Sequence, residues 1–175
     1  MLIFIEANMN AARVLSVACI TACLIAVPAW AHGDAHAPKS AKPGTISNEE
    51  KSFGKAGDPE KVARTVKVDM SDKMRFTPAT LTIKQGETVK FIVTNSGKTM
   101  HEFVLGTLPE LMEHAELMKK FPNMEHDEPY MAHVSPGKTE TIVWQFSKGG
   151  EFHFGCLLPG HFEAGMVGKI NVTQR

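Results

Sequence analysis

The sequence has no excess charge, no long apolar run and no cysteine pair outside its first two dozen residues. Its 19 Lys and Arg balance 19 Asp and Glu, which argues against broad electrostatic capture by nucleic acid or an acidic membrane. The longest apolar stretch, Val14 to Val27, falls short of the roughly 20 residues that a membrane-spanning helix needs. The length of 175 residues suits one domain with a real core.

What is present begins with an export pattern. Arg13 precedes the apolar run, and "PAWA" follows it, with Ala29 and Ala31 in the small-x-small arrangement of a cleavage site. Residues 1–31 are therefore expected to be a signal peptide, and His32 the first mature residue. Translation from Met9 is an alternative start, and lipoprotein processing at Cys23, within "ITAC", an alternative fate. Cleavage after Ala31 leaves Cys156 as the sole mature cysteine, so no internal disulfide can form even in an oxidising compartment. Its thiol must be buried, catalytic, intermolecular or bound to metal.

Residues 32–60 are rich in Ala, Lys, Pro, Gly and Ser and lack any hydrophobic period, which predicts a flexible arm. From 61 to 175 the period is two. Val66, Val68 and Met70 share one face; Leu81 and Ile83, then Val89, Phe91 and Val93, flank the turn "QGE"; Ile142, Trp144 and Phe146 precede "KGG". Phe152, Phe154 and Cys156 then face one way and Glu151 and His153 the other, so His153 is expected in solvent. Short alternating strands between Gly and Pro turns predict an antiparallel β-sandwich. One segment departs from this pattern: "LPELMEHAELMKKF", 108–121, has helical spacing and opens an insertion reaching about residue 133.

Cys156 ends an inward-facing strand. His161 follows after "LLPG" and Met166 after "FEAG", giving Cys-x4-His-x4-Met. Thiolate, imidazole and thioether on one short loop form a soft donor set that selects copper over Mg or Ca. A trigonal copper site needs a second imidazole, and His101 in "NSGKTMHEFVLG" offers it from another strand end.

On these motifs the chain, from about Arg64 to Thr173, resembles the cupredoxins, the type 1 (blue) copper proteins. The ligand loop "CLLPGHFEAGM" is similar in spacing to those of auracyanin and rusticyanin. The resemblance implies an all-β fold, a Greek-key antiparallel β-sandwich with a small helical insertion. It also implies one type 1 copper cycling between Cu2+ and Cu+, held by His101, Cys156 and His161 with Met166 as a weak axial ligand. Many members carry Asn directly after the first His, where this chain has Glu102, so the hydrogen bonding around its site is expected to differ.

Further Met and His residues crowd the insertion and its flank: Met112, His114, Met118, Met124, His126, Met131 and His133. Two readings stand side by side. In one, Leu111 and Met118 form the buried stripe of a short helix with solvated histidines opposite; in the other, thioethers and imidazoles make an additional, weaker copper site. At the mature terminus the α-amine and ring of His32, with His36, are candidate chelators. This Met/His content resembles the periplasmic cupredoxins of bacterial copper tolerance. That likeness implies a periplasmic, copper-binding, one-electron protein, and a redox partner protein such as a cytochrome or multicopper oxidase is expected; the alternative is a soluble carrier between respiratory redox partners. A single domain without a His-x-His pair argues against an enzyme with several copper centres.

Overall fold

A computed structural model describes residues 49–122, 124 and 126–174. The expected signal peptide and the first part of the arm, with His32 and His36, lie outside the described residues.

In chain order the elements are β1 (Glu50–Lys51), β2 (Gly54–Ala56), a 3-10 turn (Pro59–Lys61), β3 (Arg64–Ser71), β4 (Arg75–Thr77), β5 (Thr80–Lys84) and β6 (Thr88–Asn95). They continue as β7 (His101–Gly106), α1 (Leu108–Lys120), β8 (Met131–Val134), β9 (Thr139–Gln145), β10 (Gly150–Gly155) and β11 (Val167–Thr173). Two mixed sheets result, in the orders β1-β2-β9-β6-β3-β4 and β5-β11-β10-β7-β8. Most neighbours are antiparallel, as the alternating pattern predicts, but each sheet contains one parallel pair, β3 with β6 and β5 with β11.

The strand parity read from sequence is the parity of the core. Val68, Met70, Ile83, Phe91, Val93, Ile142, Trp144, Phe154 and Ile170 meet between the sheets. Phe103 stacks on Phe154, with ring centroids 5.0 Å apart. Phe76 meets both rings edge-on. Such packing places the dense aromatic centre directly beneath the strand ends that carry His101 and Cys156.

The helix forms where its spacing predicts. Thr107 and Glu110 make a reciprocal capping box, and Pro109 occupies the first turn, where its missing N–H costs no hydrogen bond. Leu111, Ala115 and Met118 bury one stripe against Val104, Met131 and Leu157, forming a second, smaller core on the outer face of the second sheet.

Two expectations are corrected here. Residues 49–60 are not a free arm: β2 pairs with β9, and Phe53 is buried and stacks on Trp144 at 5.2 Å. The Trp144 indole donates to the Phe53 carbonyl at 3.1 Å, and Ser52 donates to Glu110 of the helix at 3.0 Å. Gly54, at φ +127°, sits against the Gln145 carbonyl where no Cβ fits. Strands of two and three residues are too short to show a period, so the sequence pattern gave no warning. His153 is likewise not solvated, being only 9% exposed. Because α1 packs on β7 and β10, the outward face of β10 is covered as well as the inward one. Burial pushes the His153 imidazole below its usual pKa.

Candidate metal centre

Antiparallel pairing of β10 with β7 matches Gly155 to Val104, so the end of β10 lies beside the start of β7. Cys156 and His101 therefore arrive at the same edge of the sandwich from opposite chain directions. The loop after Cys156 folds back through a series of backbone bonds. His161 N–H donates to Leu158 O at 3.0 Å, Met166 N–H to His161 O at 3.0 Å, and Cys156 N–H to Met166 O at 3.1 Å. Gly160 and Gly165 take the positive φ that these reversals require, at +87° and +89°. Arg75 caps the loop from β4 by donating to the Ala164 carbonyl at 2.7 Å.

The result is a compact donor set. One ligand atom each from His101, Cys156 and His161 lies within 4.8 Å of the others. Cys156 Sγ is 3.2 Å from His161 Nδ1, and the two imidazole rings are 5.1 Å apart. Met166 is fully buried at the end of the same loop.

The orientation of His101 is set by residues that sequence reading did not pick out. Its Nε2 lies 3.2 Å from Asp72 Oδ1 and 3.4 Å from Thr99 Oγ1. An ionised carboxylate only accepts, so Nε2 carries the proton and Nδ1 keeps its lone pair. Nδ1 is buried and has no hydrogen-bond partner. Asp72 is itself held by the Lys98 N–H at 2.7 Å and the Thr99 hydroxyl at 2.9 Å, which bring its carboxyl down to a pKa of about 2. Asp72 is 29 positions upstream of His101 on a different turn, so no local motif could have flagged it.

Burial pushes the Cys156 thiol up to about 12, opposed in part by the backbone N–H groups of Glu102 and Leu158. The Glu102 N–H donates to Sγ at 3.3 Å. Burial, with His101 second, lowers the pKa of His161, favouring the neutral, ligating imidazole. A buried orphan nitrogen, a buried thiol and a neutral imidazole facing one another fit a soft, tightly held cation; the donor set fits copper.

The accessory candidates divide. Met118 and Met131 belong to the small core under α1, while Met112 and Met124 are 53% and 40% exposed. The structure does not gather these four thioethers. It does gather three histidines: the His114 and His126 rings are 4.6 Å apart, and those of His126 and His133 are 5.7 Å apart. His133 Nδ1 lies 3.0 Å from Oε1 of the buried Glu102, whose carboxylate raises the His133 pKa. Burial lowers that of His114.

A sandwich of two mixed sheets with His, Cys and His converging at one edge defines the cupredoxin class of copper-binding domain. The chain belongs to the plastocyanin/azurin family of copper-binding proteins, whose family model matches residues 62–173. It is 50% identical over 141 residues to the copper-resistant cuproprotein CopI of Rubrivivax gelatinosus, covering 81% of this chain and 82% of that one. It is 40% identical over 113 residues to CopI of Vibrio cholerae, covering 64% and 67%. Among solved structures it is similar in fold to auracyanin B, at TM-score 0.57 and 21% identity over 69% of this chain and 96% of that one. Similar too is the auracyanin of Roseiflexus castenholzii, at TM-score 0.56 and 18% identity over 64% and 98%. Among the described residues no helix is long and apolar enough to cross a membrane.

Proposed function

We propose that this chain is an exported, periplasmic type 1 copper protein that carries single electrons and serves copper tolerance. His101, Cys156 and His161 are its ligands and Met166 its weak fourth. The observation that carries this reading is the convergence of one ligand atom each from His101, Cys156 and His161, with the Nδ1 of His101 buried and unpartnered. Bound copper supplies a one-electron couple. The protein supplies the rest. Asp72 fixes the His101 ring, and the Glu102 N–H holds the sulfur. The bonded loop from Cys156 to Met166 keeps the donors in place, so little rearrangement accompanies a change of charge. Burial excludes water, and with four protein ligands no position stays open for a substrate, which favours electron carriage over catalysis.

The tolerance role is supported by the similarity to copper-resistant cuproproteins, and export by the sequence pattern of residues 1–31. The reading does not extend to a second copper at His114, His126 and His133, because both ring nitrogens of His133 already face oxygen acceptors, Glu102 Oε1 at 3.0 Å and the His126 carbonyl at 3.1 Å. His161 is half-buried beside the exposed Pro159 and Gly160, which gives the electron a short exit and supports the alternative of a respiratory carrier.

The test is genetic and cellular. Deleting the gene should make the host copper-sensitive, the wild-type gene should restore growth, and Cys156→Ala should not. The rescuing protein should fractionate with the periplasm, lacking residues 1–31. Unchanged copper tolerance with slowed reduction of a respiratory cytochrome would instead favour the carrier.

A further inference from the structure

The two segments that bring the donors together are both held by one hairpin of the opposite sheet. β3 pairs with β4 through Met70 with Phe76 and Ser71 with Arg75, which leaves Asp72, Lys73 and Met74 as a three-residue loop. Its base is rooted in the aromatic centre, since Phe76 meets Phe103 and Phe154, which stand two residues from His101 and Cys156 respectively. A loop of this length commonly ends on a glycine in the left-handed region. Here Met74 takes that place at φ +56°, and among the described residues no other non-glycine has a positive φ. Its side chain packs against the main core and its carbonyl accepts from Arg75 Nη1 at 2.6 Å, which keeps the loop in this conformation.

Asp72 and Arg75, three positions apart, reach different ligand segments. Asp72 holds the Lys98 and Thr99 N–H groups and faces His101 Nε2. Arg75 Nη1 donates to the Ala164 carbonyl at 2.7 Å as well as to that of Met74, and its two hydrogens can serve both. The guanidinium lies against Gly165, where a Cβ would come within 3.1 Å of Nη1 and 3.5 Å of Cζ. The bonds from the N–H groups of Ala164, Gly165 and Met166 to the carbonyls of Gly160, Phe162 and His161 are internal to the turn and fix its shape. Arg75 fixes where that turn sits against the first sheet. Lys119 also reaches Glu163 of the turn, but it joins two exposed side chains, and such pairs hold little.

We propose that this hairpin is a clamp across the sandwich and that Arg75 is a positioning residue for Met166. By gripping the Ala164 carbonyl, Arg75 sets how closely the Met166 thioether is held to the donors of His101, Cys156 and His161, while Asp72 holds His101 from the same loop. This rests on the type 1 reading above. The weak axial ligand tunes such a centre, so a loosened Met166 should alter its bands and its potential. Loss of charge alone acts differently, because at an exposed position its effect on the potential is screened by salt.

The full chain is compared as wild type, Arg75→Met, Arg75→Lys and Lys73→Met. Visible bands and potential are recorded with copper at low and high salt, and amide hydrogen exchange at Gly165 and Met166 is followed without metal. Lys73→Met removes one charge from the same loop and leaves the grip on Ala164 intact. In Arg75→Met the ratio of the type 1 bands should change, and the potential should shift by an amount that survives high salt. Gly165 and Met166 should exchange about 3- to 10-fold faster, as for the loss of one hydrogen bond. Arg75→Lys, which keeps a donor for the carbonyl, should recover most of both effects, and Lys73→Met should keep wild-type bands and exchange.

An Arg75→Met protein that matches Lys73→Met in bands and exchange would overturn the clamp. Faster exchange with unchanged bands would overturn the control of Met166 and leave Arg75 as an anchor of the turn. Copper taken up without colour by wild type would overturn the type 1 reading and the positioning of Met166 with it, whereas the exchange rates would still show whether Arg75 holds the turn.

Discussion

Replacing Asp72 with alanine should weaken copper binding without touching a ligand. Asp72 accepts from Lys98 N–H at 2.7 Å, Thr99 N–H at 3.2 Å and the Thr99 hydroxyl at 2.9 Å, and lies 3.2 Å from His101 Nε2. The first three bonds hold the turn that leads into β7, and the fourth fixes both tautomer and ring orientation of His101. Without the carboxylate the Nε2 proton has only Thr99 Oγ1 at 3.4 Å, and the ring can turn or change tautomer. Loss of such an outer partner typically costs 10- to 100-fold in metal affinity, here about 1.4–2.7 kcal/mol. Asp72→Asn keeps the acceptor that faces His101 and Thr99 but loses the one that takes the Lys98 N–H, so its loss should be smaller than that of Asp72→Ala without vanishing. Competition against a chelator of known Cu2+ affinity at neutral pH, read from the visible band, measures both variants. Equal affinity and an unchanged band in Asp72→Ala would refute the reasoning, showing that β7 alone positions His101.

Three other outcomes follow from the packing and the thiol. Phe53→Ala should destabilise the metal-free protein by about 3–5 kcal/mol in denaturant unfolding, as for other buried aromatics, whereas a true arm residue would give nearly zero. Leu111→Ala should cost about 2–5 kcal/mol by removing the first large side chain of the buried stripe of α1, while Met112→Ala, on the exposed side, should stay within about 0.5 kcal/mol. The Cys156 thiol is raised from its ordinary 9.0 to about 12 by burial, so its contribution to metal-free stability is complete below pH 9 and is lost as pH rises towards 12. Wild type should therefore lose more stability than Cys156→Ala across that window, and parallel curves would show that the thiol is not buried as described.

The parts legible in sequence are those whose signal is local. Cys156, His161 and Met166 lie on one loop with fixed spacing, and the alternating strands declare which side of each residue faces the core. The helix announced itself through the helical spacing of 108–121, with Leu111 and Met118 on one stripe. What escaped depends on contacts between distant segments. Asp72 reaches His101 from another turn, and Phe53 finds Trp144 across 91 positions. Glu102 stands out in sequence only as the residue after His101; its burial and its place opposite His133 depend on the pairing of β7 with β8. His153 was misjudged because alternation reports two faces but not that a helix covers the second. Among the Met and His residues of the insertion, composition could not separate the methionines that fill a core from the histidines that adjoin.

The central claim is that the buried thiol of Cys156 holds copper, and the most direct measurement is a Cu2+ titration of the metal-free protein beside Cys156→Ala, recording visible absorption and bound copper. Copper–thiolate bonding predicts intense colour that saturates with one copper and is absent from the variant. Any further copper taken up at the histidine cluster should add no such band. Colour that survives in Cys156→Ala, or no colour at any ratio in wild type, would contradict the claim and return Cys156 to the role of a buried thiol.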